Sequence, residues 1–157
     1  MKRPGGYAPQ CMALVTGLLL AGCDNTPPGG PVAVHWDRDT CSACRMLLSD
    51  RRYAAQVLDG SRQHRLFDDP GEMLHWLCKN RRSGDGALIL WVTDAGDGSW
   101  LPARHAHYET GHLTPMGYGL GARRQPAPQT LDYAAALAWI ARESELPSCP
   151  PPAEAGP

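Results

Sequence analysis

The sequence lacks three features that would each define a large class of proteins. Its longest apolar run, Met12–Leu20, falls far short of the ~20 residues that a permanent transmembrane helix needs. It has no excess of basic residues, because 15 lysines and arginines are balanced by 16 acidic residues, so a face for nucleic acid is not expected. It also has no nucleophile–base or acid–base constellation. We therefore do not predict an enzyme.

The short apolar run instead indicates an export signal. Lys2 and Arg3 precede the run, and Leu20-Ala-Gly-Cys23 ends it. Small residues directly before a cysteine are the form that the lipoprotein signal peptidase recognises. We therefore predict that residues 1–22 are removed and that Cys23 is acylated, with palmitate among its lipids. Several acyl chains at about 0.8 kcal/mol per buried methylene would hold the protein at a cell membrane, facing the periplasm.

Composition divides the remaining chain into three parts. Residues 23–36 are predicted to be the lipidated N-terminus and a flexible tether, because residues 24–31 contain no apolar side chain. Residues 37–145 are long enough for one compact domain. Residues 146–157 are too rich in proline to pack as helix or strand, and they are predicted to be a disordered tail.

Residue patterns predict the order β-β-α-β in the first half of this domain. A turn at Asp59-Gly60 separates two strand patterns, and Asp69, Pro70 and Glu72 have the spacing of an N-cap, a first helical residue and a capping-box acid. The predicted elements are strands at 53–58 and 62–67, a helix at 70–79 and a buried strand at 87–92.

Residue patterns in the second half predict a similar but less regular order of elements. Its elements are short extended segments at 100–103 and 105–108, a glycine-rich loop at 111–121 and a helix at 130–142. Thr130 is the expected cap of that helix.

Four cysteines remain once Cys11 is discarded with the signal and Cys23 is acylated. Cys78 belongs to the buried face of the first predicted helix and Cys149 to the predicted tail, so we do not expect these two to pair. The other two form the motif Cys41-Ser-Ala-Cys44-Arg-Met46.

Two thiolates and a thioether in six residues are typical of a site for Cu(I), because soft sulfur ligands select this soft ion. A zinc site would usually add histidine or a second Cys-x-x-Cys. Three alternatives remain open. The cysteines can form a structural disulfide. They can be a thioredoxin-like redox pair, with Thr114-Pro115 facing them. Met46 can simply be part of the core.

A second candidate segment is Thr114-Pro-Met-Gly-Tyr-Gly119. Methionine between proline and glycines suits an exposed loop better than a core, so Met116 can add a further thioether ligand. His105, His107 and His112 are near in sequence, and one of them can complete the site with an imidazole nitrogen.

In chain order, these motifs resemble those of NosL proteins, which are lipoprotein accessory factors of nitrous oxide reductase in denitrification. The matching motifs are Cys41-Ser-Ala-Cys44-Arg-Met46, Phe67-Asp-Asp69 at a helix start, Trp100-Leu-Pro-Ala103 with Ala106-His-Tyr108, and Thr114-Pro-Met-Gly117. The resemblance implies an α+β fold of two small ββαβ-like units and a periplasmic Cu(I) chaperone. It also implies nitrous oxide reductase and a membrane transporter complex as partners.

Matched by position, the resemblance implies metal ligation by Cys41, Cys44, Met46 and Met116. The chain departs from the family at Glu72, where members often carry a cysteine, and at residues 123–126, which replace an apolar stretch. A Cu(I) delivery protein is thus the leading hypothesis. A thiol–disulfide oxidoreductase is the alternative, and a zinc-stabilised interaction module is a third.

Overall fold

Two antiparallel sheets and two helices make up the part of the chain that the structure, a computed structural model, describes: residues 1, 29–61, 63–146 and 149. The elements are β1 (Ala55–Leu58), β2 (His64–Phe67), α1 (Pro70–Lys79), β3 (Ile89–Thr93), β4 (Trp100–Pro102), a 3-10 turn (Ala103–His105), β5 (His107–Thr110), β6 (Leu120–Arg123) and α2 (Tyr133–Glu143). The helices in this part are too short and insufficiently apolar to cross a membrane. Cys23 and the predicted signal, apart from Met1, lie outside the described residues.

The first sheet has the strand order β2-β1-β3-β4, and its first three strands with α1 form the predicted β-β-α-β unit. Ala55 pairs with Phe67 on one side and with Val92 on the other, while Leu58 pairs with His64 and Ile89. The turn between β1 and β2 is therefore at one end of the sheet. The end of β2, where the chain continues into α1, is at the other.

Helix α1 begins and ends where its sequence predicts. The side chain of Asp69 accepts a hydrogen bond from the Gly71 N–H at 2.7 Å, and Pro70 occupies the first turn. Met73, Leu74 and Leu77 are fully buried and fasten the helix to the sheet. The carboxylate of Glu72 differs from a capping-box acid, because it accepts a hydrogen bond from Cys41.

The second unit contains the two-stranded sheet of β5 and β6, followed by α2. The α+β class and the two-unit plan are thus confirmed, although no strand follows α2 within the described range. The prediction that Thr130 caps α2 is wrong. The cap is Asp132, whose side chain accepts a hydrogen bond from the Ala135 N–H at 2.8 Å. Thr130 instead donates its hydroxyl to the Ala127 carbonyl, in the turn before the helix. Strand β6 also begins inside the segment predicted as a loop.

The segment before the Cys41–Met46 motif packs on the sheet. Gln56 is fully buried on β1, and its side-chain amide exchanges two hydrogen bonds of 2.9 Å with the backbone of Val32. Trp91, which pairs with Gln56 across the sheet, donates its indole N–H to the Gly29 carbonyl. The boundary expected at residues 36 and 37 therefore falls inside the packed part of the chain, which reaches back to Gly29.

Cys78 and Cys149 form a disulfide, and the expectation that they would not pair is wrong. The two helices pack against each other, and Leu146 beyond α2 contacts the core. This packing returns the chain to α1 and brings the two Cα atoms to 4.9 Å, within bonding range. The composition of the tail gives no indication that Cys149 comes back to Cys78.

Candidate metal centre

The loop that carries the two remaining cysteines is attached to the free edge of β2. The Ser42 N–H donates to the Leu66 carbonyl at 2.7 Å, and the Leu66 N–H donates back to the Ser42 hydroxyl at 3.2 Å. Within the loop, the Cys41 N–H donates to the Met46 carbonyl, and the Arg45 N–H donates to the Cys41 carbonyl. These bonds hold the cysteines beside the end of β2, where Asp68 lies and α1 begins soon after.

Four acidic or thiol side chains meet at this point: Cys41, Cys44, Asp68 and Glu72. One ligand atom from each lies within 4.8 Å of all the others. The Cys41 thiol donates to Glu72 Oε2 at 2.9 Å, and Cys44 Sγ is 3.8 Å from both oxygens of Asp68. Such a set of sulfur and oxygen donors can surround a single metal ion.

The centre is buried on one side and open on the other. Cys41 has no exposed surface, and Asp68 and Glu72 are 2% and 5% exposed. Cys44 is half-buried. A groove of about 430 Å³ runs along the length of α1, from Glu72 to Lys79, and is lined in part by Ser42 and Tyr118. Solvent therefore reaches the centre through Cys44 and this groove.

Burial makes Cys41, Cys44 and Glu72 lose their protons less readily than usual. The pKa of the Cys41 thiol is raised well above its ordinary value by burial and by its hydrogen bond to Glu72. Burial also raises the pKa of the Cys44 thiol. The pKa of Glu72 is raised to about 7 by burial and by the neighbouring carboxyl group of Asp68. A metal ion that binds here must therefore displace protons.

The loop of Met116 covers the start of α1, next to the centre. The Met116 N–H donates to Asp69 Oδ2 at 3.1 Å, and Thr114 also hydrogen-bonds the Asp69 side chain. Tyr118 lies so close to Gly71 that an added Cβ at Gly71 would approach Tyr118 Cβ to 2.3 Å. The loop is therefore packed onto the first turn of the helix that supplies Glu72.

The structure brings together some of the predicted ligands and positions the others nearby. Cys41 and Cys44 are both free and belong to the four-residue cluster. Met46 follows in the same loop with half of its surface exposed, and Met116 is half-buried in the covering loop. Ligation by the two methionines stays a prediction.

The histidines near the Met116 loop do not join the cluster of donors in the described part of the chain. His112 uses its two ring nitrogens elsewhere, at 3.2 Å from the Tyr53 hydroxyl and 3.1 Å from Glu109. His105 is exposed and His107 is half-buried.

Asp68 and Glu72 are the donors that the sequence reasoning missed. Two signals pointed to them: Asp68 belongs to a motif shared with the resembled family, and Glu72 occupies the place of that family's additional cysteine. The local sequence pattern by itself assigns both to a helix start. Their proximity to Cys41 and Cys44 depends on the attachment of the cysteine loop to β2.

The cysteine pair does not have the setting of a thioredoxin-like motif. Residues 42–44 form a turn, Arg45 adopts a positive φ of 70°, and Thr40 then pairs with Leu47 as an isolated bridge. In the described residues, the first helix that follows the pair in the sequence is α1, which begins only after the β1–β2 hairpin. The pair therefore does not itself begin a helix, as the cysteines of a thioredoxin-like motif do.

Comparison with known proteins finds a relative in structure. The crystal structure of the copper chaperone NosL from Shewanella denitrificans aligns with a TM-score of 0.53 over 74% of this chain and 89% of that chain. The fold is NosL-like. The two sequences are 16% identical, so the alignment shows the shared fold alone. No family model matches the sequence, and no curated protein matches it.

Proposed function

We propose that this protein is a Cu(I) chaperone that binds the ion at Cys41 and Cys44. The observation that carries the proposal is the pair of free thiols in a NosL-like fold, one buried and one reachable from solvent. Copper is cargo here, and the protein's own residues bind it and release it without a chemical reaction.

The unequal exposure of the two thiols suits transfer. A ligand on an acceptor protein would approach from the open side and displace Cys44 first, because Cys41 is enclosed by the loop and by α1. Stepwise exchange avoids a free Cu(I) ion. Thioether ligands bind Cu(I) well and hard ions poorly, so Met46 and Met116 would add affinity and selectivity from the two loops that flank the centre.

We further propose that the protein works in the periplasm from a lipid anchor on Cys23. The Cys78–Cys149 disulfide supports an oxidising compartment, because such bonds persist there. The stretch from Cys23 to Gly29 reaches at most about 20 Å. Gly29 lies near Ile89 and the β1–β2 turn, whereas the metal centre follows the other end of β2. The anchor would thus hold the centre facing away from the bilayer, toward its partners.

The resemblance to NosL proteins gives the proposed partners. Nitrous oxide reductase would receive the copper, and a membrane transporter complex would take part in the same assembly. A thiol–disulfide oxidoreductase remains the alternative function, but the raised thiol pKa of both cysteines disfavours it, because the thiolate is the nucleophile in disulfide exchange.

The test is a Cu(I) competition titration under anaerobic conditions against a chromophoric chelator. The protein is the chain without residues 1–22, reduced mildly so that the disulfide between Cys78 and Cys149 survives. We expect tight binding, a loss of at least ~10-fold in affinity for Cys44→Ser, and a smaller loss for Met46→Leu. Unchanged affinity in Cys41→Ser and Cys44→Ser would exclude this centre as the copper site. Catalytic turnover of a substrate disulfide would favour the oxidoreductase.

A further inference from the structure

We propose that His112 is a positioning residue for copper binding: it fixes the loop of Met116 over the start of α1 and does not ligate the ion itself. The proposal rests on the proposed function, because it takes Met116 as a ligand of Cu(I). It concerns which contacts keep that thioether beside the two thiols.

The loop that joins β5 to β6 needs support from outside its own backbone. Gly111 and Gly119, at its two ends, both adopt a positive φ, and glycine loses more conformational freedom on folding than other residues. At the tip, the Met116 N–H donates to Asp69, and the Gly119 N–H donates to the Thr114 hydroxyl. With glycine at both ends, the tip keeps its position only if the base of the loop is fixed.

His112 fixes this base through both nitrogens of its ring. Nε2 lies 3.1 Å from Glu109 Oε2, and Nδ1 lies 3.2 Å from the Tyr53 hydroxyl. A carboxylate only accepts hydrogen bonds, so Nε2 carries a proton, and Nδ1 of the neutral ring accepts from Tyr53. The backbone N–H of His112 also donates to the Gly119 carbonyl at 3.1 Å and closes the base.

The residues around the His112 ring are themselves held in place. Tyr53 is 5% exposed and lies two positions before β1, so it belongs to the first sheet. Glu109 is on β5, and Arg123 Nε on β6 lies 3.8 Å from its Oε2. The ring also lies so close to Gly121 that an added Cβ there would approach it to 2.5 Å. His112 therefore joins the β5–β6 hairpin and its loop to the first sheet.

The same contacts argue against His112 as a ligand. A metal ion needs an unprotonated ring nitrogen with a free lone pair, and both nitrogens of His112 already have partners. In the described part of the chain, His112 is also not among the donors grouped around Cys41. Its effect on copper would pass through the loop, because the Met116 thioether can join the thiolates only while the loop stays on the first turn of α1.

The experiment combines hydrogen exchange with an anaerobic Cu(I) competition titration, on the chain without residues 1–22 in its mildly reduced form. Tyr53→Phe removes the hydroxyl that bonds His112 and leaves the loop sequence and the cysteines unchanged. We expect faster exchange at residues 112–119 and a loss of Cu(I) affinity of up to ~10-fold. Tyr133→Phe is the matched control, because Tyr133 is equally buried and its hydroxyl has no hydrogen-bond partner among the described residues.

Three further measurements separate positioning from a general structural role. With Met116→Leu already present, Tyr53→Phe should cause no further loss of Cu(I) affinity, because the thioether that the loop positions is gone. Glu109→Ala should release the loop, whereas Glu109→Gln should keep it in place, since the amide oxygen still accepts from Nε2. X-ray absorption of the copper-loaded chain should show sulfur neighbours and no imidazole.

Unchanged exchange at residues 112–119 in both Tyr53→Phe and Glu109→Ala would overturn the positioning role. An equal loss of affinity with and without Met116 would also overturn it, as would an imidazole signal that disappears in His112→Gln. Exchange of the metal-free chain tests the loop whether or not copper binds. A loosened loop in variants of a chain that binds no Cu(I) would support the hold of His112 on the loop and contradict the proposed function. Tight Cu(I) binding with an unmoved loop would do the opposite.

Discussion

The thiol of Cys41 donates a hydrogen bond of 2.9 Å to Glu72 Oε2, across 31 positions of the sequence. This bond joins the cysteine loop at the edge of the first sheet to the first turn of α1. The loop of Met116 also packs on that turn, so the geometry of the centre depends on one short helical segment.

The contribution of Glu72 to the stability of the metal-free protein should fall as pH rises from about 4.5 to about 7. Folding raises the pKa of Glu72 from 4.5 to about 7, so the folded state binds this proton more tightly than the unfolded state. The resulting stabilisation is full below pH 4.5 and is lost as Glu72 ionises. The shift corresponds to at most about 3.4 kcal/mol, and screening by solvent on the open side of the centre reduces this to roughly 2 kcal/mol. Urea unfolding with a chelator present, from pH 4.5 to 8, measures it. Glu72→Gln should flatten this profile, while exposed Glu143→Gln should keep it; equal slopes in both variants would contradict the assignment.

Gly71→Ala should displace the loop of Met116. The new methyl group would lie 2.3 Å from Tyr118 Cβ, which is too close for two carbon atoms, so Tyr118 and its loop must move. We expect a destabilisation of about 1–3 kcal/mol. If Met116 ligates copper, Cu(I) affinity should fall as well. Gly86→Ala is the control, because a Cβ there meets nothing within 4 Å. Equal stability and affinity in the two variants would show that the loop is not held as described.

Gln56→Leu should release the segment that precedes the cysteine loop. The side chain of Gln56 satisfies both backbone groups of Val32, and leucine would leave those groups without their partners. The expected cost is about 2–3 kcal/mol. Hydrogen exchange followed by mass spectrometry should show faster exchange at residues 29–36 and little change in α2. Protection of residues 29–36 as strong as in the unmodified chain would contradict their docking on Gln56.

Removal of the disulfide with Cys78→Ser and Cys149→Ser should destabilise the protein by about 4 kcal/mol, because the bond closes a long loop of 71 residues. Thermal unfolding measures this loss. Cys44→Ser should have a much smaller effect on the thermal midpoint of the metal-free protein, since Cys44 is a free thiol. A double variant as stable as the unmodified chain would mean that the two residues contribute no crosslink.

The sequence by itself determined the local structure and half of the centre. Asp69 and Pro70 start α1, the turn at Asp59 closes the first hairpin, and the Cys41–Cys44 spacing predicts a sulfur site. Caps, turns and short motifs are built from residues close in sequence, so they can be predicted without knowledge of the fold. Thr130 and Asp132 could each be the N-cap of α2. The local pattern predicted Thr130, whereas the cap is Asp132.

Only the tertiary structure decided the rest. It brought Asp68 and Glu72 to the cysteines, joined Cys78 to Cys149, and placed Val32 on Gln56. These contacts link residues 24 to 71 positions apart. No local pattern encodes them, because they arise when the loop pairs with the β2 edge and when α1 and α2 bury their apolar faces together. The physical reason is that hydrophobic burial is not directional, so which distant polar groups it brings together is settled only by the packed fold.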